Sequence, residues 1–125
     1  MKPRLLLLGY PKLIGCDGMP VHLRTRKAMA LLAVLALSDG RSISRTQLAE
    51  LLWDERPESH ARQNLRKELS HLRRALEGAG VHGLSIERDT VRLAQGALDT
   101  DAVELRRLAR SDERGDIAAA AYLYQ

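Results

Sequence analysis

Apolar positions change their spacing several times along this chain, and each change marks an element. Arg4 to Gly9 is a short apolar run of strand length, followed by two shorter segments, Lys12 to Ile14 and Val21 to Leu23, set apart by Gly15, Asp17, Gly18 and Pro20. Together they predict a small antiparallel sheet. From Thr25, a residue type that caps helices, Met29, Leu32, Ala33, Ala36 and Leu37 recur at helical spacing until Ser38-Asp39-Gly40 ends the pattern. Ser42 and Ile43 make a brief extended link. Ser44 then opens a second, short helix through Leu48, Leu51 and Leu52; Gln47, three residues on, completes a capping box, and the helix closes near Trp53.

Beyond Pro57 comes the strongest pattern of all, ARQNLRKELSHLRRALE from Ala61 to Glu77. With Leu65 as the zero of a helical wheel, Leu69, Leu72 and Leu76 fall beside it, while Gln63, Lys67, Ser70 and Arg74 gather on the opposite side. Arg66 and Arg73 flank that polar row on one edge, His60 and His71 on the other. Two short helices and a longer basic one, joined by tight connections, predict a helix-turn-helix. Gly78, Gly80 and Gly83 break the long helix, and Leu84-Ser85-Ile86-Glu87 and Thr90-Val91-Arg92-Leu93 then alternate like strands around Arg88-Asp89. That is a β-hairpin where a wing would sit, closed by Gln95-Gly96.

From Leu98 onward the pattern turns helical. Asp99 or Asp101 can cap a stripe of Val103, Leu105, Leu108 and Ala109 that runs to Arg110. After Gly115-Asp116, Ile117, Ala120, Ala121 and Leu123 start another helix that is barely two turns long at Gln125. A helix pair cannot bury both faces without neighbours, so this segment reads as the opening of a helical-repeat module, cut short. The alternative is a self-contained helical hairpin packed back on the preceding domain. The expected organisation is one domain over residues 1–97 and the beginning of a second over 98–125.

Composition narrows what such a chain can do. Its 125 residues are 45% hydrophobic but only 3% aromatic, with no Phe, so the core must be built from Leu, Ala, Val and Ile. A single-stranded nucleic-acid stacking platform needs more aromatic faces than that. The net charge of +4 is unevenly spread: 16 Lys and Arg against 10 Asp and Glu leave +6 in residues 1–98, while 4 against 6 leave −2 in 99–125. That asymmetry is expected when one domain meets a phosphate backbone and the next does not. Cys16 is the sole cysteine, which excludes an intramolecular disulfide and a cysteine-based zinc site and suits a reducing interior. The Leu5–Leu8 run is broken at once by Gly9, Tyr10, Pro11 and Lys12, too soon for an export signal, and no stretch approaches a membrane span. A cytoplasmic location without a membrane partner is the expectation.

Catalytic chemistry finds little to work with. Glu50, Asp54, Glu55 and Glu58 cluster around the end of the second helix without partner groups for acid and base work, which fits a solvated surface. His22, His60, His71 and His82 have no metal-ligand spacing, and neither a Gly-rich phosphate loop nor a nucleophile elbow is present. No enzyme activity, metal or cofactor is expected.

The long helix offers more. Long side chains with forked or paired donors suit base edges and phosphates in the major groove, which admits one helix. A charged outer face also fits plain solvation, or a protein-interaction or signalling module whose basic helix docks an acidic partner. The readings part on sequence discrimination, which only a DNA reader requires.

The order of these motifs resembles the winged helix-turn-helix DNA-binding domain of bacterial response regulators, the OmpR/PhoB type, in the subclass that heads the Streptomyces antibiotic regulatory protein family. The resemblance rests on an N-terminal strand ending in Leu8-Gly9, Thr25-Arg26-Lys27-Ala28, Asp39-Gly40-Arg41-Ser42-Ile43-Ser44-Arg45, Leu48-Ala49-Glu50-Leu51-Leu52-Trp53, Ala61-Arg62-Gln63-Asn64-Leu65-Arg66 and Leu72-Arg73-Arg74-Ala75-Leu76. It implies an α+β fold: a winged helix-turn-helix with an N-terminal antiparallel sheet, three helices and a C-terminal β-hairpin wing, plus a C-terminal α-helical segment opening a bacterial transcriptional activation domain. It implies a transcriptional activator that binds direct repeats near promoters, head to tail, with the third helix in the major groove and the hairpin near the minor groove.

Among site residues, the wheel and the resemblance agree on Gln63, Lys67, Ser70 and Arg74 as base readers. The resemblance adds Asn64, Arg66 and His71 as flanking contacts, and the wheel places Arg73 beside them. It assigns phosphate contacts to Arg24, Arg26, Lys27, Arg41 and Arg45 at helix starts and loops. Arg88 and Arg92 are the wing candidates. Relatives carry Gly-x-Gly-Tyr in the wing, whereas this chain reads Glu87-Arg88-Asp89-Thr90-Val91-Arg92, which implies a shorter tip and an Asp89 that weakens Arg88. The loop Trp53, Asp54, Glu55, Arg56, Pro57 and Glu58 is implied as the surface that touches RNA polymerase.

Overall fold

The first helix, α1 (Arg26–Leu37), is the centre of the molecule, seen in a computed structural model that describes residues 2–55 and 57–101. Ala28, Ala30, Leu31, Leu32, Ala33, Val34, Leu35 and Leu37 are all buried, so α1 is covered on nearly every side rather than along one stripe. A helix that is apolar all round belongs inside. The stripe expected from sequence was therefore too narrow, and two of its members, Met29 and Ala36, are only half-buried. Thr25 caps α1 as expected, its Oγ1 accepting from Ala28 N at 3.0 Å. Asp39, at φ 55, and Gly40, at φ 81, turn the chain out of it.

Around α1 lie two sheets and two helices. The N-terminal sheet has the order β3-β2-β1-β7, built from β1 (Arg4–Leu6), β2 (Lys12–Ile14), β3 (Pro20–Val21) and β7 (Asp99–Thr100). Its first three strands are antiparallel, with Leu5 opposite Leu13 and Leu13 opposite Val21. The expected strands were right in place and longer than observed at Arg4–Gly9 and Val21–Leu23; Leu23 leaves the sheet to enter the core. The second sheet, β4-β6-β5, joins β4 (Ile43–Ser44) to the hairpin of β5 (Leu84–Ile86) and β6 (Thr90–Leu93).

Strand β7 corrects the helical pattern read from Leu98 onward. Leu98 is buried, Asp99 N donates to Pro3 O at 3.0 Å, and Asp99–Thr100 lie parallel to β1. Asp101 then accepts from Leu7 N at 2.7 Å through its carboxylate, and Lys2 Nζ pairs with Asp99 at 3.1 Å. A two-residue strand has no helical signal to lose; it forms because the free edge of β1 offers unpaired backbone groups. The expected helices from Val103 onward lie outside the described residues.

The helix-turn-helix is α2 (Arg45–Leu52) and α3 (Glu58–Gly78), packed on each other and both on α1. Ser44 caps α2, accepting from Gln47 N at 3.0 Å. Losing such a cap costs about 1 kcal/mol, so Ser44→Ala should lower the thermal midpoint by several degrees with no change in the native fold. Helix α3 begins three residues earlier than the repeat from Ala61 suggests and has no side-chain cap; Glu58 sits in its first turn, where a carboxylate meets the positive end of the helix dipole. At its far end Val81 N donates to Leu76 O at 2.8 Å and Gly80 N to Glu77 O at 3.2 Å, with Gly80 at φ 77 and both Leu76 and Val81 buried. This left-handed cap requires glycine. A Cβ on Gly80 would collide with Cys16 Sγ and stand 3.0 Å from Cys16 Cβ. Gly80→Ala is expected to lose about 1–2 kcal/mol of stability to backbone strain, and adding Cys16→Ala should recover only the steric part, as urea unfolding of the three proteins would measure.

Candidate nucleic-acid interface

Helix α3 divides its residues cleanly by face. Ala61, Leu65, Leu69, Leu72 and Leu76 are buried, and Gln63, Lys67, Ser70 and Arg74 are exposed. These four lie within about 60° of one another on the wheel, so they form one continuous polar strip on a helix whose opposite side is locked into the core. Arg66 and Arg73 are exposed along one edge; Asn64 and His71 are half-buried along the other. The strip therefore combines an amide, a hydroxyl and two cations, the donor and acceptor types that base edges and phosphates accept.

Other candidate cations divide into those that face outward and those that hold the scaffold. Arg24 and Arg26 are exposed at the start of α1, and Arg24 reaches α3, its Nη1 3.1 Å from His71 Nε2. Lys27 is exposed but tied to the scaffold: its ammonium donates to Leu52 O at the end of α2 and lies 5.6 Å from the Trp53 ring centroid. There a cation meets the negative end of α2 and an aromatic face together. Arg41 Nε donates to Ser38 O at 2.9 Å.

Arg45 and Arg92 hold the wing. Arg45 donates from its backbone N to Asp89 O at 2.8 Å and from Nε to Glu87 O at 2.9 Å, which ties the start of α2 to the hairpin turn. Arg92 Nε donates to Gly40 O at 2.6 Å. The hairpin itself is as expected, with Leu84 opposite Leu93 and Ile86 opposite Val91. Its tip is the three-residue turn Glu87-Arg88-Asp89, closed by Glu87 N to Thr90 O at 2.8 Å, and all three side chains are exposed.

The loop between α2 and α3 needs one correction. Trp53 is 8% exposed and part of the core, so its indole is no contact surface. Asp54, Glu55, Pro57 and Glu58 are exposed, with Glu58 bonded to Arg62 at 2.7 Å; Arg56 lies outside the described residues.

One polar pair escaped sequence reading. Glu68 is 8% exposed and accepts from Thr25 Oγ1 at 2.8 Å. The signal was present: Glu68 falls about 60° from Leu65 on the wheel, inside the apolar half, where a charge needs a partner. Among the described residues no group of His, Cys, Asp and Glu is placed to hold a metal ion, and no helix is long and apolar enough to cross a membrane.

Comparison with known proteins agrees with this geometry. Residues 18–92 match the family described as transcriptional regulatory protein, C terminal. The transcriptional regulatory protein EmbR of Mycobacterium tuberculosis H37Rv is 40% identical over 75 residues, covering 60% of this chain and 19% of EmbR. MoaR1 of the same strain, also a transcriptional regulatory protein, is 31% identical over 113 residues, 88% of this chain and 36% of MoaR1. The solved structure of M. tuberculosis EmbR in complex with a low affinity phosphopeptide superposes with a TM-score of 0.68 at 27% identity, over 99% of this chain and 36% of that one. The chain thus spans 19% to 36% of the length of the relatives it matches.

Proposed function

The chain belongs to the transcriptional regulators that carry this C-terminal, OmpR/PhoB-type DNA-binding domain, and from that membership we propose that it reads duplex DNA with α3 in the major groove and the β5–β6 hairpin beside the minor groove. The observation that carries the reading is the division of α3, with its leucine seam buried and Gln63, Lys67, Ser70 and Arg74 wholly on the outside. In this mechanism cations neutralise phosphates and release counterions, supplying most of the affinity, while the strip on α3 tests base edges. Arg24, Arg26, Arg66 and Arg73 meet the backbone from either side of the strip, and Arg88 is the wing's reach toward the minor groove. Lys27, Arg41, Arg45 and Arg92 act chiefly by fixing α2 and the hairpin against the core.

We further propose activation from direct repeats near promoters, occupied head to tail, with exposed Asp54, Glu55 and Glu58 offered to RNA polymerase. Residues 98–125 lead, in this reading, into a helical-repeat activation module. Support for these finer points is the resemblance in motif order and the exposure of the acidic loop.

Guanine N7 methylation interference on a duplex selected for tight binding tests the groove assignment. Major-groove entry by α3 requires interference at guanine N7 positions within each repeat; binding unaffected by N7 methylation anywhere in the selected duplex would reject it. Arg26→Ala should weaken binding to every duplex alike and flatten the salt dependence by about one phosphate contact, in titrations across salt concentrations.

A further inference from the structure

The edge of α3 that faces α1 carries two polar side chains outside the reading strip, and both are gripped by consecutive residues at the α1 start. Glu68 accepts from Thr25 Oγ1 at 2.8 Å, and one turn further along α3 His71 Nε2 lies 3.1 Å from Arg24 Nη1. Thr25 is also the cap of α1, accepting from Ala28 N at 3.0 Å. A hydroxyl has one proton and two lone pairs, so its roles are settled: the proton goes to Glu68 and a lone pair to Ala28. The chain from carboxylate to hydroxyl to amide polarises each bond in turn, and it sets a negative group at the positive end of a twelve-residue helix. A guanidinium has no acceptor, so the contact with Arg24 makes His71 Nε2 the acceptor and puts the ring proton on Nδ1, which is buried and without a hydrogen-bond partner.

Leucine packing alone does not define how far α3 slides or rolls along α1, because leucines one turn apart are interchangeable to first order. Two directional bonds to the adjacent residues that lead into α1 do define it. We propose that Glu68, together with His71, is a positioning residue: it locks α3 onto the Arg24–Thr25 corner and so sets the register in which Gln63, Lys67, Ser70 and Arg74 meet the base edges. His71 then acts through Arg24, whose guanidinium it holds beside the reading strip, and not as a base contact of its own. The inference rests on α3 being the recognition helix.

The test compares the affinity for a selected duplex with that for its scrambled counterpart, using the whole chain and keeping every variant below its thermal midpoint. Glu68→Ala should lower this ratio about tenfold or more while scrambled-duplex affinity and salt slope hold, because phosphate contacts tolerate a shift that base contacts do not. Glu68→Gln keeps an acceptor for Thr25 and should restore most of the ratio. Thr25→Val, which leaves α3 untouched, should reproduce the loss, Thr25→Ser should not, and the pair Thr25→Val with Glu68→Ala should be no worse than either alone. Should Glu68→Ala fail to fold, the Thr25→Val and Thr25→Ser pair decides the matter. A ratio that survives both Glu68→Ala and Thr25→Val, or equal losses on both duplexes, overturns the positioning role while leaving DNA reading intact. A wild-type chain that prefers no duplex overturns DNA reading, and the register inference falls with it.

Discussion

Leu72→Ala is expected to lose about 2–5 kcal/mol of folding stability. Leu72 is 0% exposed, in the middle of the α3 seam between Leu69 and Leu76, where α3 meets the core shared with α1 and α2. Deleting three carbons there removes their transfer free energy and leaves a cavity that close-packed neighbours fill only in part. Domains of this size hold roughly 5–15 kcal/mol in all, so one substitution consumes a large share. In urea, the midpoint should fall with the slope unchanged, and DNA binding should fail only where the fold fails. Arg66→Ala and Arg73→Ala, on the exposed edge of the same helix, should stay within about 0.5 kcal/mol of wild type. A loss below about 1 kcal/mol at Leu72 would mean that the seam is not packed as described.

Replacing Lys67 and Arg74 together should produce the largest functional effect at unchanged stability. Both are exposed on the strip of α3 and sit two helical turns apart, about 10 Å along the axis. A well-placed base contact is worth roughly 1–3 kcal/mol. At that spacing the two losses should nearly add, giving about 30-fold at the least and more than 1,000-fold where both contacts are good. Thermal midpoints should hold, because neither side chain is buried. Each single variant should relax specificity at its own base position, which separates it from Arg26→Ala, where all duplexes weaken together. An unchanged binding profile in the double variant would show that the reading face of α3 is elsewhere.

How much of this could be read from the residues varied with the kind of signal. The leucine repeat of α3, the caps at Thr25 and Ser44 and the hairpin around Glu87-Arg88-Asp89 were all legible, because periodicity, capping chemistry and alternation are local properties. That α1 is a core helix was legible as well, from the apolar run Ala28 to Leu37; which of its faces are covered was not. A run such as Ala-Leu-Leu-Ala-Val-Leu satisfies any stripe drawn on it, and only the surrounding elements decide how many faces are covered. Strand β7 was hidden for the opposite reason: Asp99 disfavours a strand, Thr100 alone is too short a signal, and pairing with β1 is a long-range event. The resemblance put Trp53 in a contact loop, although its size and apolarity argued for the core. The cations at Lys27, Arg45 and Arg92 show the same limit, since a basic residue at a helix start serves a phosphate or a backbone carbonyl equally well, and sequence does not reveal which is nearer. Glu68 was legible in principle, as a carboxylate on the apolar half of the wheel.

Selection of tight binders from a random duplex library, followed by titration of the best duplex and a scrambled control at matched salt, tests whether α3 reads sequence. Sequence reading by α3 predicts enrichment of a repeated motif bound about 1,000-fold or more tightly than the scramble, with the repeat spacing visible in the selected set. Equal affinity for both duplexes, erased together by salt, would contradict it and leave the basic face of α3 as an electrostatic surface alone.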